Sequence, residues 1–172
     1  MPWKEIRAYV VGRNLDEGVV KTEMEATTKE EAIEELVDLL VEAHEIPMSL
    51  RDHVLDVVME RERSMSTGME KGIALPHGAS SRVQEIVGAL GIVPEGLPFD
   101  SLDGEPARLV VLLVLPKDRF QAHVRTLAGI AHLLGNPTFR QQLVSAADAE
   151  RVLELIENAE DDATFDQYRA DA

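Results

Sequence analysis

Apolar residues recur along this chain with two different periods, and the switch between them lays out the elements. Over residues 28–44, Ile33, Leu36, Val37, Leu40 and Val41 form an i, i+3, i+4, i+7, i+8 stripe, the mark of a helix with one buried face. Thr27 and Glu30 have capping-box spacing at its start, and Pro47 stops it. A second helix begins at Ser49, repeats the stripe with Leu50, Val54, Val57 and Val58, and ends near Arg63. The period then shortens. Residues 72–76 make a brief extended piece, residues 85–93 read as a strand, and residues 109–115 (LVVLLVL) are an unbroken apolar run, as expected of a strand covered on both faces. A third helix is expected over residues 120–134, ended by Gly135-Asn136-Pro137. Shorter helices follow over 138–144 and 148–158, the latter with Ser145 as its cap. The alternation implies α/β layers with helices on both faces of a sheet. No repeat, low-complexity tract or Pro/Gly-rich linker divides the chain. Residues 1–159 therefore read as one domain, and the acidic tail 160–172 is expected to be disordered.

Composition narrows the chemistry. The 172 residues carry 17 Lys and Arg against 32 Asp and Glu, a formal charge of −15, with 45% hydrophobic content. That is enough apolar material for a core, and the charge argues against a nucleic-acid partner, because phosphate backbones are held by clustered Lys and Arg. No run approaches a membrane span, so membrane insertion is not expected, and the start Met1-Pro2-Trp3-Lys4-Glu5 lacks the apolar stretch of a secretory signal. Cys is absent, which removes disulfides, thiolate metal sites and thiol catalysis together. A cytoplasmic location is expected. The charge is also uneven: residues 1–60 hold 6 basic and 15 acidic side chains, whereas residues 106–144 hold Arg108, Lys117, Arg119, Arg125 and Arg140 against Asp118 alone, net +4. This clustering is either solvated charge or a stretch that faces something anionic.

No Walker-type loop, Gly-x-Gly-x-x-Gly or His-Glu-x-x-His is present. The strongest local signal is the stretch from Ser66 to Gly78, which sets His77 after a proline-terminated strand and before a glycine. With no Cys, His is the leading nucleophile, and an unperturbed imidazole is roughly three-quarters neutral at pH 7. Helical phase then picks partners. Arg61 lies eleven residues after Leu50, about 1100°, and so only about 20° off the buried stripe, while Arg63 points to solvent. An arginine there either snorkels, pairs with a carboxylate or receives an anion. His123 shares a row with Phe120, Leu127, Ile130 and Leu134, whereas His132 falls on the opposite face. His44 and His53 continue the stripes of the first and second helices and read as structural.

These residues resemble a family. The stretch from Ser66 to Gly78, ending in Gly-Ile-Ala-Leu-Pro-His-Gly, is similar to the active-site signature of enzyme IIA of the fructose–mannitol and nitrogen-regulatory class (the type-2 IIA domain) of the bacterial phosphoenolpyruvate-dependent phosphotransferase system. The segments 26–33, Arg61-Glu62-Arg63 and 123–131 resemble further parts of that family in the same order, over about residues 20–158. Met65 stands where the family often has a small residue. The resemblance implies a mixed sheet of about five strands between helices on both faces. It implies that His77 accepts a phosphoryl group from the phosphohistidine of HPr or an HPr-like carrier. The group then passes to a cysteine of an enzyme IIB, or serves as a regulatory signal on a target protein. Arg61 and His123 would flank His77 and bind the phosphoryl oxygens. A planar two-pronged guanidinium and a ring N–H suit that role, since phosphoryl transfer asks mainly for positioning and charge neutralisation. The Thr67 hydroxyl and the backbone amides of the Ser66–Thr67–Gly68 turn are candidates for additional donors. No cofactor and no metal are expected.

Two other readings remain open at this level. One is a non-catalytic regulatory module on the same fold that docks on partner proteins; the other makes His77 and His123, with a carboxylate, a zinc site, which no ligand spacing supports. Within the phosphocarrier reading, a free-standing domain without a fused enzyme IIB tilts the expectation towards regulation.

Overall fold

In the computed structural model, which describes residues 19–159, the apolar run becomes the strand on which the rest is assembled. This strand, β5 (Ala107–Pro116), pairs antiparallel with β4 (Val87–Leu97) on one side. On its other side it pairs parallel with two short strands, β2 (Ile73–Ala74) and β3 (His77–Ser80). β1 (Val20–Lys21) adds parallel to the far side of β4, so the sheet has five strands and is mixed. Among the described residues, five α-helices cover it: α1 (Lys29–Glu42), α2 (Arg51–Ser64), α3 (Phe120–Leu134), α4 (Pro137–Val144) and α5 (Ala149–Ala159).

The alternation of β5 builds two cores. Val110, Leu112 and Val114 join Ala74, Val87 and Ala89 under α1 and α2, where Ile33, Leu36, Val37, Leu40, Val54 and Val58 are buried. Leu109, Val111, Leu113 and Leu115 join Ile73, Leu75, Leu90 and Ile92 under α3, α4 and α5, against Ile130, Leu133, Leu143 and Val152. A strand buried on both faces needs no polar alternation, which is why the sequence shows none. The mixed sheet between two helical layers is the architecture the resemblance implies.

Several details differ from the pattern reading. The cap of α1 is Thr28, one residue later than expected: its hydroxyl accepts from Glu31 N (3.2 Å), and Glu31 Oε2 accepts from Thr27 N (2.8 Å). Glu31 then occupies the third helical position, the one from which a carboxylate reaches back. α5 is capped by Asp148, whose Oδ1 accepts from Arg151 N (2.9 Å), and not by Ser145, which ends α4. The helix of residues 28–44 stops at Glu42, and His44 takes a left-handed backbone (φ 59°) and is exposed, so it does not continue the buried stripe. β1 and β3 were not foreseen; both are too short to show a period. The tail 160–172 lies outside the described residues. Among the described residues, no helix is long and apolar enough to cross a membrane.

The cap assignment is testable by urea unfolding. Thr28→Ala should lose about 1 kcal/mol, the usual value of an N-cap, and Thr27→Ala clearly less. The reverse order would return the cap to Thr27.

Candidate functional site

The segment from Ile73 to Ser80 runs along one edge of β5, and Pro76 interrupts its ladder because proline has no N–H to offer. Its carbonyl still accepts from Leu113 N (3.1 Å), so the chain stays on the sheet through the break. His77 therefore opens a strand of its own, where the sequence reading had placed it beyond a finished one. In-register pairing decides which way each side chain faces, since neighbours across a ladder share a face. His77 pairs with Leu113 and so stands on the α3 side of the sheet; Gly78 pairs with Val114 and stands on the α2 side.

The imidazole of His77 is held in one tautomer. Nδ1 lies 2.9 Å from Leu75 O. A carbonyl can only accept, so Nδ1 carries the proton and Nε2 keeps its lone pair. Burial pushes the ring below its ordinary pKa of 6.5, the carbonyl of Leu75 pulls it back, the Arg61 guanidinium lowers it again and Glu62 opposes; the net direction is down. At neutral pH the ring is thus a neutral base with one available nitrogen.

His77 lines an open cleft of about 640 Å³ together with Arg61, Ser64, Lys117, Phe120 and Gln121. Arg61 belongs to α2, on the opposite side of the sheet, and reaches the cleft across the outer edge of β3. Gly78 makes the approach possible: a Cβ there would sit 2.7 Å from Val57 Cγ1 and 3.2 Å from the Val57 backbone carbon. Arg61 Nη1 donates to Met65 O (2.8 Å), one of five guanidinium donors. Arg63, two residues on, is exposed and lines a separate pocket with Lys29, Glu62, Ser66 and Asp100. His123 is on the first turn of α3, three residues past Phe120; its side chain lies outside the described residues. Lys117 was not foreseen as a site residue, although it sits in the only net-positive stretch of the sequence.

The Ser66–Thr67–Gly68 turn is not arranged as expected. None of the three lines the His77 cleft, and both hydroxyls and the amides of Thr67 and Gly68 donate within the protein. Ser66 Oγ donates to Phe99 O (2.6 Å), Gly68 N donates to Ser66 Oγ (3.1 Å), and Thr67 donates through N (3.0 Å) and Oγ1 (2.6 Å) to Glu62. The turn is a brace behind the site. Met65 enters it in an extended conformation with its side chain exposed, so the departure from a small residue there is accommodated. Glu62, 3% exposed, also meets Lys29 Nζ at 3.4 Å. Sequence reasoning missed this carboxylate, yet a signal existed: Glu62 continues the row of Val54 and Val58 at i+4 and i+8.

Of the remaining histidines, His53 is half-buried with Nε2 2.7 Å from Ser80 Oγ, in keeping with a structural role, and His132 is exposed on the last turn of α3.

The depressed pKa has a sign that can be checked. The unfolded ring titrates near 6.5 and the folded ring lower, so this group's contribution to stability is lost as pH falls from 6.5 towards the folded value, and levels off below it. NMR titration of the His77 ring should give a midpoint below 6.5, and Arg61→Ala should raise it, because a neighbouring cation is removed. A wild-type midpoint at or above 6.5 would contradict the geometry.

Comparison with known proteins shows the family. Residues 13–159 match the family described as the phosphoenolpyruvate-dependent sugar phosphotransferase system, EIIA 2. A Haloferax volcanii protein named PTS system fructose-specific EIIA component is 31% identical over 138 residues, 80% of this chain and 88% of that one. A Bradyrhizobium diazoefficiens nitrogen regulatory protein is 29% identical over 133 residues, covering 77% and 85%. The crystal structure of nitrogen regulatory protein IIA-Ntr from Neisseria meningitidis superposes with a TM-score of 0.74 at 27% identity, covering 82% of this chain and 94% of that one. The chain belongs to the EIIA 2 family of the phosphoenolpyruvate-dependent phosphotransferase system.

Proposed function

We propose that this chain is a histidine phosphocarrier in which His77 Nε2 takes a phosphoryl group from the phosphohistidine of HPr or an HPr-like protein. It then hands the group to a cysteine of an enzyme IIB, or holds it as a signal read by a regulated target. The observation that carries the reading is the pinned ring: Nδ1 is tied to Leu75 O, and Nε2 is left as the lone nucleophilic nitrogen in a cleft that also holds Arg61 and Lys117.

The step balances without an external base. As the P–Nε2 bond forms, the P–N bond of the donor breaks, and the donor imidazole leaves with the electron pair. No proton has to leave His77. The proton stays on Nδ1, donated to Leu75 O, and the carbonyl dipole stabilises the positive charge that the ring gains on phosphorylation. The transferring group carries its charge on three equatorial oxygens, so catalysis reduces to in-line positioning and neutralisation. Arg61 supplies a planar donor pair from across the strand edge, Lys117 a mobile point charge, and His123, on the opening turn of α3, a further N–H. Such a carrier works in the cytoplasm. The printed names of its relatives include both fructose-specific EIIA and nitrogen regulatory proteins, and assay against candidate enzyme IIB proteins separates the two uses.

Incubation with labelled phosphoenolpyruvate, enzyme I and HPr should give one acid-labile, alkali-stable label that disappears in His77→Ala. Label that survives acid, or that survives His77→Ala, sinks the reading. Arg61→Ala should slow phosphoryl acceptance on the order of 10²-fold, the usual effect of removing one transition-state donor. Arg63→Ala should stay within about twofold, and equal effects would mean that Arg61 has no special place at the cleft.

A further inference from the structure

α2 runs antiparallel to β3, and three of its residues meet the strand in turn. His53 meets Ser80 at 2.7 Å, Val57 lies over Gly78, and Arg61 reaches the cleft of His77. The spacings match: eight helical residues rise about 12 Å, and the three strand steps from Ser80 to His77 cover about 10 Å. The three contacts do different work. Gly78 against Val57 sets how closely the helix approaches, but a bare backbone under an aliphatic side chain offers nothing to stop the helix from sliding. Arg61 Nη1 is tied to Met65 O, at the end of its own helix, which fixes the guanidinium to α2 and not to β3. The directional contact is His53 with Ser80. Ser80 is 2% exposed, and its Oγ also accepts from Arg82 N (3.1 Å), so the hydroxyl is held from both sides.

We propose that the His53–Ser80 hydrogen bond sets the register of α2 along β3 and thereby holds Arg61 at His77, which makes His53 a positioning residue for the phosphoryl site. The consequence for phosphoryl transfer rests on His77 being the acceptor; the consequence for geometry does not. Displacement of a reacting partner by about 1 Å costs on the order of 10²-fold, so a small slip of α2 is enough to matter.

Two readouts test this. Among the described residues, the charged groups at the cleft are Glu60, Arg61, Lys117 and Asp118, with Glu62 buried behind. Neither His53→Ala nor Ser80→Ala removes any of them, and Ser80→Ala removes no ionisable group at all. A His77 midpoint moved in Ser80→Ala, and restored by His53→Gln relative to His53→Ala, therefore reports a moved charge. Both variants should raise the His77 midpoint in the direction of Arg61→Ala, and His53→Gln, which keeps a polar atom at the same reach, should restore it. In phosphoryl acceptance, His53→Ala should slow the wild type about tenfold and an Arg61→Ala background less than twofold, the non-additivity of two residues acting as a unit. A wild-type midpoint in His53→Ala, or the same fold-loss in both backgrounds, overturns the proposal. Ser80→Ala carries the same comparison if His53→Ala does not fold. Absence of label on the wild-type protein would refute the acceptor role, and the titration alone would then decide the register.

Discussion

One missing amide organises the site. Pro76 cannot donate to β5, so the edge of the sheet is split into β2 and β3, and only its carbonyl, bonded to Leu113 N, keeps the two halves in register. Because the ladder is resumed in phase, the parity of side chains is preserved across the break. His77 stays on the face of Leu75 and Leu113, and Gly78 stays on the face of Ala74 and Val114. The carbonyl of Leu75 then has the ring of His77 within 2.9 Å. A residue other than proline at this position would be free to extend the ladder, and the carbonyl that now fixes the tautomer would compete with ordinary strand geometry. The Leu-Pro-His-Gly run thus encodes an interrupted edge strand whose next two residues face opposite ways, one towards the cleft and one under the helix that brings the arginine.

Behind that edge lies a polar brace. Glu62 is buried with one carboxylate oxygen on Thr67 N and Lys29 Nζ and the other on the Thr67 hydroxyl. Lys29 reaches on to Asp100 at 2.8 Å. Burial alone would lower the lysine pKa, but the Asp100 hydrogen bond and the two carboxylate charges outweigh it, and the net direction is up. A buried carboxylate so fully paired adds little net stability against an apolar substitute, and removal of one partner is what destabilises. Its contribution is geometric. The network joins the first residue of α1, the last turn of α2 and the turn after it, and Gly68 is pressed against the Phe99 carbonyl so closely that a Cβ would lie 2.5 Å away. The Ser-Thr-Gly turn is therefore engaged in shaping the end of α2 and does not line the cleft.

The sheet between two helical layers was legible because it depends on period, and helical phase likewise put Arg61 near a buried row, whereas its place beside His77 came from the family resemblance. A helix repeats its buried row every three or four residues, and Arg61 fell near that row while Arg63 did not. A strand covered on both faces announces itself as an uninterrupted apolar run. What stayed hidden depends on contacts that leave no period. β1 and β3 are two and four residues long. Asp148 and Ser145 are equally good caps on paper, and only the path of the chain between α4 and α5 chooses between them. The commitment of Ser66 and Thr67 could not be read so easily, because Ser66 needs Phe99, thirty-odd residues away, and Thr67 needs Glu62, whose phase along α2 had not been followed.

The formal charge of −15 concerns approach to the protein more than the site itself. At physiological ionic strength fields decay over about 8 Å, and the densest acidic runs lie in the first sixty residues and the tail. The cleft of His77 sees instead a mixed set, Arg61 and Lys117 with Glu60 and Asp118. A mixed set suits a group that must arrive and leave. A wholly cationic pocket would hold a phosphoryl oxygen tightly in the ground state, and uniform binding of that kind does nothing for the rate of transfer. In the proposed role the His77 ring is neutral before transfer, one cation is anchored to the end of its own helix, another is on a flexible stem, and carboxylates stand close enough to limit how strongly an anion is retained. The acidic balance of the chain is therefore compatible with the proposed phosphoryl site, since the local arrangement, not the total charge, decides what the cleft can bind and release.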